Sequence, residues 1–143
     1  MRVYISAPLF NQMEKEFNLK VDSELHELGF ETYLPQRDGY EGSELIKSGY
    51  SWNLVKDKIF EKDVTEIKKC DILFMILDGR VPDEGACVET GIAYAIGKKC
   101  IGLQTDTRKF SENYNNPMID GTLNLGLYTS LNEALKKLRE IKK

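Results

Sequence analysis

The sequence predicts an α/β domain in which a mostly parallel sheet of about five strands is covered by helices on both faces. Short runs of apolar and β-branched residues alternate with segments of helical periodicity, and this alternation is typical of repeated β-α-β units. The predicted strands are 3–7, 30–34, 71–77, 100–104 and, with a weaker pattern, 125–129. The predicted helices are 10–28, 51–69, 84–97 and 130–142. A chain of 143 residues can bury a sizeable core, so we expect one domain spanning 1–143.

The composition of each segment supports its assignment. The run DILFMIL at 71–77 is apolar without alternation, as expected for a central strand that is buried on both faces. The last helix follows Ser130, a good N-cap residue, and ends in a lysine-rich turn. The segments 35–51 and 105–121 show no regular pattern and are long for connections, so we interpret them as binding loops.

Charge and residue usage exclude several classes of protein. The net charge of -3 argues against a nucleic-acid partner, which would require a basic face. The first residues, MRVYISA, lack the apolar stretch of a signal peptide or membrane span, so we expect a cytoplasmic protein with no membrane partner. The three cysteines are spaced too widely for a zinc site and are expected to be buried thiols. No motif for a metal or an organic cofactor is visible, and none is expected.

Two carboxylates lie on apolar faces of predicted helices. On the helix at 84–97, Glu89 shares its face with small and apolar residues, whereas an alternative interpretation places it at the rim of an ordinary amphipathic helix. Asp63 lies on the apolar face of the helix at 51–69, eight residues before Asp71. That spacing carries Asp63 about 12 Å back along the helix, towards the carboxyl end of the sheet, where ligands bind. Two inward-facing carboxylates at one end of a sheet suit a nucleophile paired with a general acid.

Several short motifs then occur in order between residues 4 and 118. They are YISAPLF at 4–10, Asp63 ahead of CDILF at 70–74, DGRVPDEG at 78–85, VETGIA at 88–93 and, more weakly, NPM at 116–118. With these motifs the sequence resembles the nucleoside 2-deoxyribosyltransferase family. The resemblance implies a flavodoxin-like, three-layer α/β/α fold that needs no cofactor.

The resemblance also implies a reaction. A 2-deoxyribosyl group would pass between nucleobases by double displacement with net retention. Glu89 would be the nucleophile that forms a covalent deoxyribosyl-enzyme, and Asp63 would carry the proton of the departing base. Tyr4 would contact the Glu89 carboxylate.

Three further residues are implied as substrate ligands. Asp83 would bind sugar hydroxyls, Gln36 would contact the base, and Asn116 would enter the site of a neighbouring subunit. The implied partners are a 2'-deoxynucleoside and a free nucleobase, bound by a homo-oligomer with shared active sites.

Structural alternatives remain open for these residues. Tyr4 could simply pack within the first strand, and Asp83 could act only as a helix cap. Asn116 competes with Asn113 and Asn115 for its assigned role.

Two other functions also remain open. One is hydrolysis of the N-glycosidic bond of nucleoside 5'-monophosphates, although the loop SAPLFNQ lacks the glycine and arginine expected of a phosphate site. The other is a non-catalytic nucleotide sensor, which would not require both Glu89 and Asp63.

Overall fold

One parallel sheet organises the chain. The structure, a computed structural model, describes residues 1–106, 108 and 114–142. The strands in that part of the chain are β1 (Arg2–Ser6), β2 (Glu31–Tyr33), β3 (Ile72–Ile76), β4 (Lys99–Leu103) and β5 (Leu127–Tyr128). They pair in the order β2-β1-β3-β4-β5, and every pair is parallel. This order is that of flavodoxin-like folds, so the predicted fold class is confirmed.

Helices cover both faces of the sheet. In the described residues they are α1 (Gln12–Glu27), α2 (Pro35–Asp38), α3 (Gly42–Lys47), α4 (Trp52–Lys69), α5 (Glu84–Ala95), α6 (Pro117–Thr122) and α7 (Leu131–Lys142). Alternate residues of β3 supply the two cores. Ile72, Phe74 and Ile76 pack in a cluster with α1 and α7, whereas Leu73 and Met75 pack in a cluster with α4 and α5. The carboxylate-bearing helices α4 and α5 therefore share one face of the sheet.

The segments predicted to be irregular loops contain helix, so that prediction is wrong in part. Segment 35–51 holds α2 and α3, and the end of segment 105–121 belongs to α6. Residues 107 and 109–113 of the second segment lie outside the described part of the chain. Pro35 and Pro117 begin α2 and α6, at the first helical position, where a missing N–H leaves no bond unmade. These helices have only four to six residues, which is too short for helical periodicity to appear in a sequence.

Two further expectations concern the burial of the cysteines and the absence of a membrane span. Cys70 and Cys100 are buried free thiols as predicted, whereas Cys87 is only partly buried. Within the described residues, no helix is both long and apolar enough to cross a membrane.

Candidate active site

Strand β1 supplies two hydroxyl groups that hold one carboxylate. Tyr4 and Ser6 are two residues apart, so their side chains point to the same face of the sheet. The Tyr4 hydroxyl donates to Glu89 Oε1 at 2.8 Å, and the Ser6 hydroxyl donates to Glu89 Oε2 at 2.5 Å. Both donors are fully buried. Each oxygen of the Glu89 carboxylate therefore has its own donor on the floor of the site.

Helix α5 carries Glu89 to these donors. The helix begins after Asp83, whose carboxylate accepts a hydrogen bond from the Ala86 N–H at 2.8 Å. Ala86 and Ala93 are buried on the side of α5 that faces the sheet. Glu89 lies in the second turn, where the helix dipole has largely faded. The hydroxyls of β1, more than the helix terminus, therefore stabilise its ionised form.

Helix α4 carries the second carboxylate, Asp63. The Tyr33 hydroxyl donates to Asp63 Oδ1 at 3.4 Å. Tyr33 lies opposite Tyr4 in the register of β1 and β2, and their rings stack with centroids 5.2 Å apart and planes 22° apart. Each carboxylate is thus hydrogen-bonded to one member of a stacked tyrosine pair.

Burial dominates the ionisation of Glu89. The pKa of Glu89 is raised to about 7, first by burial and then by the nearby carboxylates of Asp63 and Asp83. The hydroxyls of Ser6 and Tyr4 act in the opposite direction, because they stabilise the anion. Near neutral pH this carboxylate is therefore poised between its two forms.

The second carboxylate is perturbed in the same direction. Burial raises the pKa of Asp63 above its ordinary value, while the hydrogen bond from Tyr33 opposes the rise. Burial also raises the pKa of both tyrosines well above the ordinary range, with added contributions from the neighbouring carboxylates. Both tyrosines consequently remain protonated donors at neutral pH.

An apolar cleft opens beside the two carboxylates, between α4 and α5. It has a volume of about 410 Å³ and is lined by Asp63, Glu89 and mainly apolar side chains, namely Trp52, Ile59, Phe60, Val64, Ile67, Val88 and Ile92. Sites for small molecules span about 300–1,000 Å³ and combine apolar walls with a few polar groups. The cleft can therefore bring a flat, weakly polar ligand against two carboxyl groups, an arrangement that suits nucleophilic attack combined with proton transfer.

The predicted substrate ligands occupy different positions. Asp83 caps α5 next to two lining residues of the cleft, Glu84 and Gly85. The Gln36 side chain accepts a hydrogen bond from the amide of Asn18 and donates to the Lys15 carbonyl, which ties α2 to α1. Gln36 does not line the cleft.

Asn115 and Asn116 do not line the cleft of their own chain. Asn116 is exposed and caps α6 by accepting from the Met118 N–H at 2.9 Å. Asn115 is buried, and its amide donates to the Gln104 and Asp120 side chains, so it is fully engaged inside its own chain. Asn113 falls outside the described residues. The structure thus brings Glu89, Asp63 and Tyr4 together, but not Gln36 or Asn116.

Two residues of the site escaped the sequence analysis. Ser6 could have been found, because it lies two residues after Tyr4 and so shares its face of the strand. Tyr33 gave no such signal, because its position depends on β2 pairing with β1 in a particular register. Among the described residues, no group of three or more His, Cys, Asp or Glu side chains is arranged to hold a metal ion.

The fold and the cleft define the class of this protein, a flavodoxin-like α/β protein with two carboxylates in one apolar cleft. The sequence profile of the family described as "Nucleoside 2-deoxyribosyltransferase" matches residues 3–129. The chain belongs to the nucleoside 2-deoxyribosyltransferase family, a family of enzymes that act on nucleosides. No curated protein matches the sequence significantly.

Solved structures share the fold. A conserved protein from Enterococcus faecalis V583 superposes with a TM-score of 0.83 and 24% identity, with 98% of each chain covered. A 2-deoxyribosyltransferase from Bacillus psychrosaccharolyticus has a TM-score of 0.75 and 22% identity over 94% of this chain and 90% of the other. A CMP N-glycosidase from Clostridium botulinum has a TM-score of 0.56 and 25% identity over 96% and 98%.

Proposed function

We propose that the protein is a nucleoside 2-deoxyribosyltransferase that moves 2-deoxyribose between nucleobases through a covalent intermediate on Glu89. The observation that supports this proposal most is the pairing of Glu89 and Asp63 in one apolar cleft, each held by a tyrosine hydroxyl. Family membership supplies the substrate class, a nucleoside and a nucleobase.

In the first step the Glu89 carboxylate attacks the anomeric carbon of a 2'-deoxynucleoside. A bond forms from a carboxylate oxygen to that carbon, and the bond from the carbon to the base nitrogen breaks. The departing base takes the proton of Asp63, and a protonated base is the better leaving group. Burial raises the pKa of Asp63, and this favours the role because it stabilises the protonated side chain relative to an exposed aspartate.

In the second step an incoming base reverses these events. Its nitrogen attacks the anomeric carbon, its proton passes to Asp63, and the Glu89 carboxylate leaves. Two inversions give net retention. Glu89 then accepts the hydrogen bonds of Tyr4 and Ser6 as a full anion, which stabilises it as a leaving group.

The proposal also gives roles to the three predicted substrate ligands. Asp83, at the edge of the cleft, binds sugar hydroxyls while capping α5. Asn116 reaches the site of a neighbouring subunit in a homo-oligomer, which is supported by its exposure and by the exposed side chains of Trp52 and Phe60 at the cleft. Gln36 contacts the base only if its hydrogen bonds to α1 are exchanged.

Hydrolysis of a nucleoside 5'-monophosphate is the second candidate, and the 25% identity to a CMP N-glycosidase favours it. The loop after β1 argues against a phosphate there. The backbone N–H groups of Phe10 and Asn11, just before α1, already donate to the Glu14 carboxylate at 2.8 and 3.2 Å. A helix N-terminus that already holds its own carboxylate attracts a second anion less strongly. We therefore favour an unphosphorylated substrate.

The decisive experiment is incubation with 2'-deoxyinosine, with and without adenine, followed by chromatography of bases and nucleosides. The proposal predicts 2'-deoxyadenosine, and Glu89→Ala abolishes both its formation and the release of hypoxanthine. The matched control is Glu61→Gln, which removes an exposed carboxylate from the same helix as Asp63 and retains activity. Release of hypoxanthine without a new nucleoside, or turnover of 5'-monophosphates alone, would favour the hydrolase.

A further inference from the structure

Ser6 occupies a position that the proposed reaction does not yet explain. It is the last residue of β1 and is 0% exposed. Its hydroxyl oxygen lies 2.5 Å from Glu89 Oε2 and 3.4 Å from the carbonyl oxygen of Ala86. A hydroxyl has one proton, and the shorter contact to a charged acceptor is the stronger bond. The proton of Ser6 therefore goes to the Glu89 carboxylate.

We propose that Ser6 is a positioning residue that, with Tyr4, fixes both oxygens of the Glu89 carboxylate and stabilises its anionic form. The proposal rests on the proposed function of Glu89 as nucleophile. The geometry supports the proposal, because the two hydroxyls lie on one face of one strand and each donates to a different oxygen of the Glu89 carboxylate. A carboxylate held at both oxygens cannot rotate away from the cleft.

Ser6 acts throughout the reaction without touching the substrate. When one Glu89 oxygen is bonded to the anomeric carbon, the other oxygen keeps its hydroxyl donor. When that bond breaks, the electron pair returns to the carboxylate and both hydrogen bonds regain full charge assistance. Because Ser6 is completely buried, its removal should lower kcat more than it raises KM.

The charges around Glu89 give the sign of the effect. Tyr4 and Ser6 face it from β1, Asp63 faces it from α4, and Asp83 lies on its own helix. The cleft also contains Lys56 and Glu84. The two carboxylates that act on Glu89 disfavour its charge, and the two hydroxyls favour it. Loss of Ser6 therefore raises the pKa of Glu89.

The test compares Ser6→Ala with a matched control, Thr90→Val. Thr90 is also a buried hydroxyl, next to Glu89 in sequence, and it donates to the same Ala86 carbonyl at 2.8 Å, but it does not bond to the Glu89 carboxylate. In Ser6→Ala the acidic limb of the pH profile of kcat/KM moves up by about one pH unit, so activity falls about tenfold at low pH and little at high pH. Thr90→Val leaves the limb where it is.

A second readout does not depend on activity. Glutamate labelled with 13C at the side-chain carboxyl carbon reports each titration by NMR, and Glu89→Gln identifies the signal of Glu89. The Glu89 midpoint rises by about one pH unit in Ser6→Ala and by less in Ser6→Cys, whose thiol is a weaker donor. Ser6→Cys also preserves the test if the alanine variant does not fold.

The two readouts separate the two proposals. A shifted Glu89 titration in a protein without transferase or N-glycosidase activity would support the role of Ser6 and overturn the proposed function. Equal titration midpoints in the wild type and both Ser6 variants would overturn the role of Ser6, whatever the activity. Equal shifts in Ser6→Ala and Thr90→Val would also overturn it, because they would mark a general effect of losing a buried hydroxyl.

Discussion

Replacing Glu89 by glutamine should stabilise the protein at neutral pH while abolishing its activity. Glu89 has a pKa of about 7 in the folded protein, against an ordinary value of 4.5. The folded state thus binds the proton more tightly than the unfolded chain. For such a group the stabilisation is complete below about pH 4.5 and is lost as the pH rises to about 7. Glutamine carries no charge at any pH and avoids this loss.

The magnitude follows from the two pKa values. At 1.36 kcal/mol for each pKa unit, the difference between about 7 and 4.5 corresponds to roughly 3 kcal/mol. Because Glu89 borders an open cleft and is only partly buried, solvent screens part of this cost, and we expect about 2 to 3 kcal/mol. This is a large share of the stability of an ordinary domain.

Urea denaturation of the wild type and Glu89→Gln at pH 5 and pH 8 measures the effect. Relative to the wild type, the variant gains about 2 to 3 kcal/mol in the free energy of unfolding between these two values of pH. Glu61→Gln, an exposed change, serves as the control. A difference between Glu89→Gln and the wild type that stays constant with pH would refute the reasoning, because the carboxylate would then titrate alike in both states.

Three further predictions follow from single contacts. Tyr33→Phe removes a hydrogen-bond donor from the Asp63 carboxylate, so the pKa of Asp63 rises further. The basic limb of the pH profile of kcat/KM therefore moves to higher pH, and an unchanged limb would show that the contact has no role. Asp83→Asn keeps a capping side chain but removes a negative charge near Glu89. The melting temperature therefore changes little, while the acidic limb of the pH profile of kcat/KM moves to lower pH. A large loss of stability would mean that the charge itself holds the cap. Gly102→Ala destabilises the protein by about 1–3 kcal/mol in urea denaturation, because the added methyl group would lie within 3 Å of two leucine side chains. An unchanged denaturation midpoint would contradict this packing.

Local periodicity in the sequence predicts the positions of the two carboxylates in the cleft. Glu89 and Asp63 stand out because a charge on an apolar helix face is visible within a dozen residues of sequence. Strand and helix positions were predicted to within a few residues for the same reason.

The parts of the site and the fold that local patterns do not predict depend on contacts between distant segments. The pairing of Tyr33 with Tyr4 requires the register of β1 and β2, which no local pattern encodes. The short helices α2, α3 and α6 have too few residues to show a period. The hydrogen bonds that tie Gln36 to α1 likewise join segments about twenty residues apart and could not be read from either one.

The interior position of β1 in the sheet ties the proposed catalysis to the integrity of the whole molecule. Tyr4 belongs to a strand with a partner on each side, the kind of element that opens only when a protein unfolds globally. The hydroxyls that hold the Glu89 carboxylate are therefore drawn from a buried strand with two partners rather than from a loop. Thermal loss of activity and global melting would then share one midpoint, and hydrogen exchange at β1 would report on the competence of the site.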